Sequence, residues 1–177
     1  MKEFLISTFG SYAHQIVTIH ILSAIVWVGG MIAIYFAVHP TMQTIKEPKL
    51  KLGKTLILVG KFFNIVIPFI ILSIVSAVFM AVGFGFRASA LDSDGIVISE
   101  VANTLYNIVH IKEGIWLIMA MNFALMYYKR AKAQKLFDAG DMASAKETVA
   151  LIPKLLLPIN IFLGLLALWF GVTLRGL

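Results

Sequence analysis

The chain has 177 residues, 60% of them hydrophobic and 14% charged, with a mean hydropathy of +0.92. Globular chains are about half apolar and about a quarter charged, so there is too little polar surface here to cover a water-soluble ball of 19.6 kDa. A soluble enzyme, a disordered chain and a nucleic-acid binder are excluded, although 15 Lys+Arg stand against 9 Asp+Glu.

A helix needs about 20 apolar residues to cross a bilayer, and four such segments follow one another. The start, Met1–Tyr12, has Lys2 but no small-residue cleavage site before a short apolar run, so no cleaved signal peptide is expected. The first span covers about residues 15–38, with His14 and His39 near its ends and His20 inside it; its Gly29–Gly30 pair suits close packing. The second, about 55–86, is overlong and is expected to tilt or to project into water. Pro68 in its middle predicts a kink, and Asn64, Ser73 and Ser76 read as glue between helices. The third, about 108–128, carries His110, Lys112 and Glu113. The Ala-rich, charged stretch 129–154, interrupted at Gly140, reads as a helical extension against water and lipid headgroups. The fourth span covers about 155–174. Barrel strands would need alternating segments of about ten residues, and none are visible. The expected fold is all-α, a single-domain integral membrane four-helix bundle.

Charge orients it. Lys46, Lys49, Lys51 and Lys54 lie between the first two spans against Glu47 alone, and Lys129, Arg130, Lys132, Lys135, Lys146 and Lys154 between the last two against Asp138, Asp141 and Glu147. The middle connection carries Arg87 with Asp92, Asp94 and Glu100. Lys and Arg accumulate in cytoplasmic loops, so the basic loops are expected inside and both termini on the outer (periplasmic) side of an inner, cytoplasmic membrane.

With no cysteine, there is no disulfide, thiolate metal site or Cys nucleophile. Redox or metal chemistry then falls to His, Met, carboxylates or a cofactor. Ionisable groups inside a span are costly and point to function. His20 and His110 both fall in the outer part of the bilayer, matched in depth within about two helical turns. The residue four on from each is small, Ala24 or Gly114, which leaves room for a flat macrocycle. Two imidazoles from facing helices are what a six-coordinate haem b requires, so His20 and His110 are the expected iron ligands. Arg87, Arg175 and Lys112 are candidate partners for the propionates. Glu113, three residues past His110, is placed to orient its imidazole or to accept a proton, and Lys112 points nearly opposite. Snorkelling to the headgroups is the alternative for Lys112.

The segment His20-Ile-Leu-Ser-Ala-Ile-Val-Trp27-Val-Gly29-Gly30 resembles the opening helix of the CopD-like membrane proteins and of the HemJ-type protoporphyrinogen oxidases. His110-Ile-Lys112 is similar to the HemJ-type His-x-Lys, and Lys61-Phe-Phe-Asn-Ile-Val-Ile-Pro68 to that family's entry into its second helix. At the end of the first span, Tyr35-Phe-Ala-Val-His39-Pro40 stands where the HemJ type has Leu-Pro-Arg. The resemblance implies a haem b held by His20 and His110, with Trp27 and Lys112 nearby.

The expectation is a haem b membrane oxidoreductase or electron-transfer protein, exchanging electrons with a quinone or porphyrinogen that arrives through membrane lipid. In it Glu113 and Lys112 carry protons and charge. Two alternatives stay open. One is copper transport using soft ligands such as His14, Met31 or Met121. The other is a haem-bearing anchor in a homodimer or larger membrane complex.

Overall fold

The computed structural model describes residues 1–176, the side chains of Arg175 and Gly176 excepted. The first span is one long helical run: α1 (Lys2–Ala24), a π-helical turn (Ile25–Gly29), α2 (Gly30–Ala33), a second π turn (Ile34–Val38) and α3 (His39–Gln43). Next come α4 (Pro48–Gly83), the short α5 (Phe86–Ala90), α6 (Glu100–Asp138), α7 (Met142–Leu151), a third π turn (Ile152–Leu156) and α8 (Leu157–Gly176). Four of these runs are long and apolar enough to cross a membrane. The chain is all-helical apart from one isolated bridge, Leu91 to Val97, among the described residues.

Local chemistry sets the ends. Pro48 opens α4, where its missing N–H costs no helical bond. Ser99 caps α6 through its hydroxyl, 3.3 Å from the Ala102 N–H, and Asp141 caps α7, accepting from Ser144 at 3.0 Å. Gly85 and Gly140 supply the left-handed turns that end α4 and α6, with φ of 68° and 86°. Where such caps lie beyond the apolar run, as Ser99 and Gly140 do around α6, the helix extends to meet them. Helix α1 already starts at Lys2, and α6 starts eight residues before the expected edge at Ile108 and ends at Asp138. Pro68 lies inside an uninterrupted α4. The interior residue with non-helical backbone is instead Tyr12 of α1, at φ −129° and ψ 26°.

Pairings down the bundle fix its register. Phe9 meets Phe84, His20 meets Ser73 and Gly30 lies against Phe62, so α1 and α2 run antiparallel to α4, while Phe4, beyond the break at Tyr12, meets Phe79 out of that order. Trp116 meets Ser73, Tyr127 meets Asn64 and Arg130 meets Leu56, so α6 is antiparallel to α4. Lys112 lies beside Gly171 and Met119 bonds Asn160, which sets α8 antiparallel to α6. The loop 91–99 and residues such as Phe9, Lys112 and Gly171 thus gather at one end, and the basic loops at the other. Between them the core is Trp27, Met31, Phe63, Met119, Phe123, Met126 and their apolar neighbours. Phe123 packs edge-on to both Trp27 and Phe63, with centroids 6.4 and 5.0 Å away. Inside the bundle, Asn122 donates to the Leu156 carbonyl and to Asn160, both at 2.8 Å. Asn160 in turn donates to the Met119 carbonyl, so spans three and four are tied by side-chain amides.

Candidate functional site

Three antiparallel spans bring a polar cluster together about two turns from the loop 91–99 end, inside otherwise apolar surroundings. His20 of α1 is half-buried against α4. Its Nδ1 lies 3.1 Å from the Ser73 carbonyl and 3.0 Å from the Ser76 hydroxyl. A carbonyl only accepts, and the Ser76 hydroxyl already donates to the Leu72 carbonyl at 2.6 Å. Nδ1 therefore carries the proton, and Nε2 is left as the basic nitrogen. The Ser73 hydroxyl donates to the Ile70 carbonyl and accepts from the Trp116 indole N–H at 3.0 Å. Spans one, two and three are so joined by side chains whose own positions are fixed.

Lys112 belongs to this interior. Its Nζ would lie 3.1 Å from a methyl placed at Gly171, so α8 opens a gap for the ammonium. Two residues earlier on α6, about 200° around the helix, His110 points away from the bundle. Its Nδ1–H donates to Glu113 Oε2 at 2.8 Å, with both side chains about half exposed. Its ring also packs edge-on to Tyr106 at 4.4 Å. Gly114, Leu117, Met121 and Tyr128 continue the same outward stripe, and Gly114 has open space beside it. Lys112 thus shares the inward side of α6 with Trp116, which bonds the Ser73 beside His20, whereas His110 lies on the outward side. The inward face of α6 is the one carrying Lys112, Ile115, Trp116, Met119, Phe123 and Met126.

The remaining candidates separate as well. Trp27 is buried in the core seven residues past His20 on the same stripe, and its indole N–H has no acceptor. Arg87 is exposed on α5. The side chain of Arg175 lies outside the described residues. Of the residues weighed for copper, Met31 is sealed in the core while Met121 and His14 are exposed, so they form no common site. No group of three His, Cys, Asp or Glu side chains comes together among the described residues. A pair of imidazoles needs no such group. Sequence reasoning passed over Trp116. Its signal was a hydrogen-bonding aromatic four residues after Lys112, on the helical face that also carries Met119 and Phe123.

No protein-family model, curated protein or solved structure matches the chain.

Proposed function

We propose that the chain is a haem b-binding redox protein of the cytoplasmic membrane, with its basic loops inside and His20 as the interior iron ligand. One observation carries this reading: His20 donates Nδ1–H to a backbone carbonyl, which leaves Nε2 free. Metal-ligating histidines are characteristically oriented in this way by a partner on the other nitrogen. Haem b is consistent with two further features. Lys112 offers a cation to a propionate from the same interior face, and the buried Trp27 N–H offers a donor that no protein group uses. When bound, the haem would supply one-electron chemistry.

The His110–Glu113 pair takes a different part in this reading from the ligand role the sequence suggested. Open on the outward stripe, it can be reached by a quinol or a porphyrinogen moving through lipid. His110 Nε2 is the free base that accepts a proton from such a molecule, and Glu113, hydrogen-bonded to Nδ1–H, stabilises the imidazolium that results. A carboxylate–imidazole pair is suited to moving protons beside a centre that moves electrons. The likeness of His20, Trp27, His110 and Lys112 to the HemJ-type motifs supports porphyrinogens as one class of substrate.

The test is a pyridine haemochrome assay on detergent-purified protein. About one haem b per chain is expected in the wild type, with near-complete loss in His20→Ala. His110→Ala and Glu113→Gln should keep the haem and slow its reduction by a quinol analogue by about 10²-fold or more, the scale of general acid–base catalysis. A haem-free wild type would overturn the reading. Loss of the haem in His110→Ala would restore the paired-histidine ligation and overturn the division of roles.

A further inference from the structure

At the basic end of the bundle a cavity of about 1050 Å³ opens between the first span, α4 and α7. Its volume is at the upper limit of small-ligand sites, roughly 300–1,000 Å³. Two of the three π turns, Ile34–Val38 and Ile152–Leu156, form part of its wall. Such turns widen a helix and recur at functional sites. Most of the lining is apolar, from side chains such as Phe36, Leu52 and Val59. The charged lining is of one sign: Lys51, Arg130, Lys146 and Lys154, with no Asp or Glu.

These cations are not neutralised where they stand. Among the described residues the one ion pair is His110–Glu113, at the opposite end. Lys51 donates to the Gln43 side-chain oxygen at 3.4 Å. Arg130 donates to the Leu56 carbonyl at 2.9 Å and to Gln134 at 3.1 Å, both neutral acceptors. Its guanidinium lies over Gly60, where any side chain would displace it. One half-buried arginine is therefore held rigidly at the cavity, and the lysines come from separate elements around it.

We infer that this cavity binds one anionic glycerophospholipid, its phosphate held by Arg130 with Lys51, Lys146 and Lys154 and its acyl chains laid along the apolar wall. Charge complementarity selects an anion, and the wall beside membrane spans selects an amphiphile over a free ion. Basic pockets between spans are known takers of anionic headgroups. The inference does not depend on haem, because the cavity and the His20 cluster are at opposite ends of the bundle.

The test uses the full chain, delipidated in a non-ionic detergent and followed by native mass spectrometry. Phosphatidylglycerol and phosphatidylcholine with identical chains are added separately, and inorganic phosphate is added as a competitor. One phosphatidylglycerol per chain is expected, retained over phosphatidylcholine by at least about tenfold and not displaced by phosphate. The double variant Lys146→Gln/Lys154→Gln changes two exposed side chains and should lower that retention by about tenfold with unchanged helicity. Arg130→Gln should lower it further, provided that it folds. Equal retention of the two lipids, or full retention in the double variant, overturns the inference. Displacement by inorganic phosphate would reduce the site to a simple anion site and overturn it too.

Discussion

Trp27 buries an indole N–H that no protein atom accepts, and an unpaired buried donor costs about 1–3 kcal/mol. Trp27→Phe removes the donor and keeps the aromatic contact with Phe123. Protein free of any ligand should therefore gain about 2–4 °C in Tm for each kcal/mol recovered, and on the proposed haem reading the variant should retain haem less tightly than wild type. A lower Tm for the haem-free variant would contradict this. Asn160 is the opposite case, fully buried with its amide satisfied. Asn160→Ala should cost about 0.6–2 kcal/mol, the range for hydrogen bonds between membrane helices, as read from reversible unfolding in mixed micelles. The candidate site was partly legible at this scale. His20, Lys112, His110 and Glu113 are conspicuous because charge is rare in a span, and the His110–Glu113 pair follows from a spacing of three. Ser73 and Ser76 as the partners of His20, and Trp116 as the partner of Ser73, were not legible, since these pairings depend on the register between helices and no local pattern encodes it.

Which face of α6 turns inward was hidden for a related reason. One stripe runs His110, Gly114, Leu117, Met121 and Tyr128, the other Lys112, Ile115, Met119, Phe123 and Met126, and both are apolar over most of their length. Lipid tails are as apolar as a protein core, so a span carries no water-facing side to mark. Spans themselves are easily read, from runs that meet the bilayer length; their ends are not, because caps outside the apolar run decide them. Asp141 illustrates this at α7. Its hydrogen bond from Ser144 holds its carboxyl below the usual carboxylate range. A carboxylate with a lowered folded pKa stabilises fully above its unfolded pKa, and that contribution is lost as pH falls through the folded value. Fraying at the start of α7, followed by hydrogen exchange, should increase only in acid for wild type and at neutral pH already for Asp141→Ala. At the preceding turn, Gly140→Ala places a side chain at φ 86° and should cost about 1–2 kcal/mol, read as faster proteolysis between α6 and α7.

Over the whole molecule, four antiparallel crossings put the loop 91–99 and the basic loops at opposite ends. The chain has no cysteine, so single substitutions report sidedness without background. Asp94→Cys should react with an impermeant maleimide in intact cells, and Lys146→Cys only after permeabilisation; the reverse pattern would invert the proposed orientation. Four-span architecture was available from composition and run length alone. The division of labour between the two ends was not, because it arises from tertiary pairing. Between the His20 cluster and the basic cavity, Trp27, Met31, Phe63, Met119, Phe123 and Met126 form a buried apolar plug of rings and thioethers. In an energised membrane such a plug acts as an electrical insulator. The potential falls across it, at about 2.3 kcal/mol per elementary charge for each 100 mV, and no ionisable side chain within it offers a proton a foothold. On the proposed reading, protons handled at the His110 end are exchanged with one aqueous compartment alone, and the chemistry proceeds without short-circuiting the gradient around it.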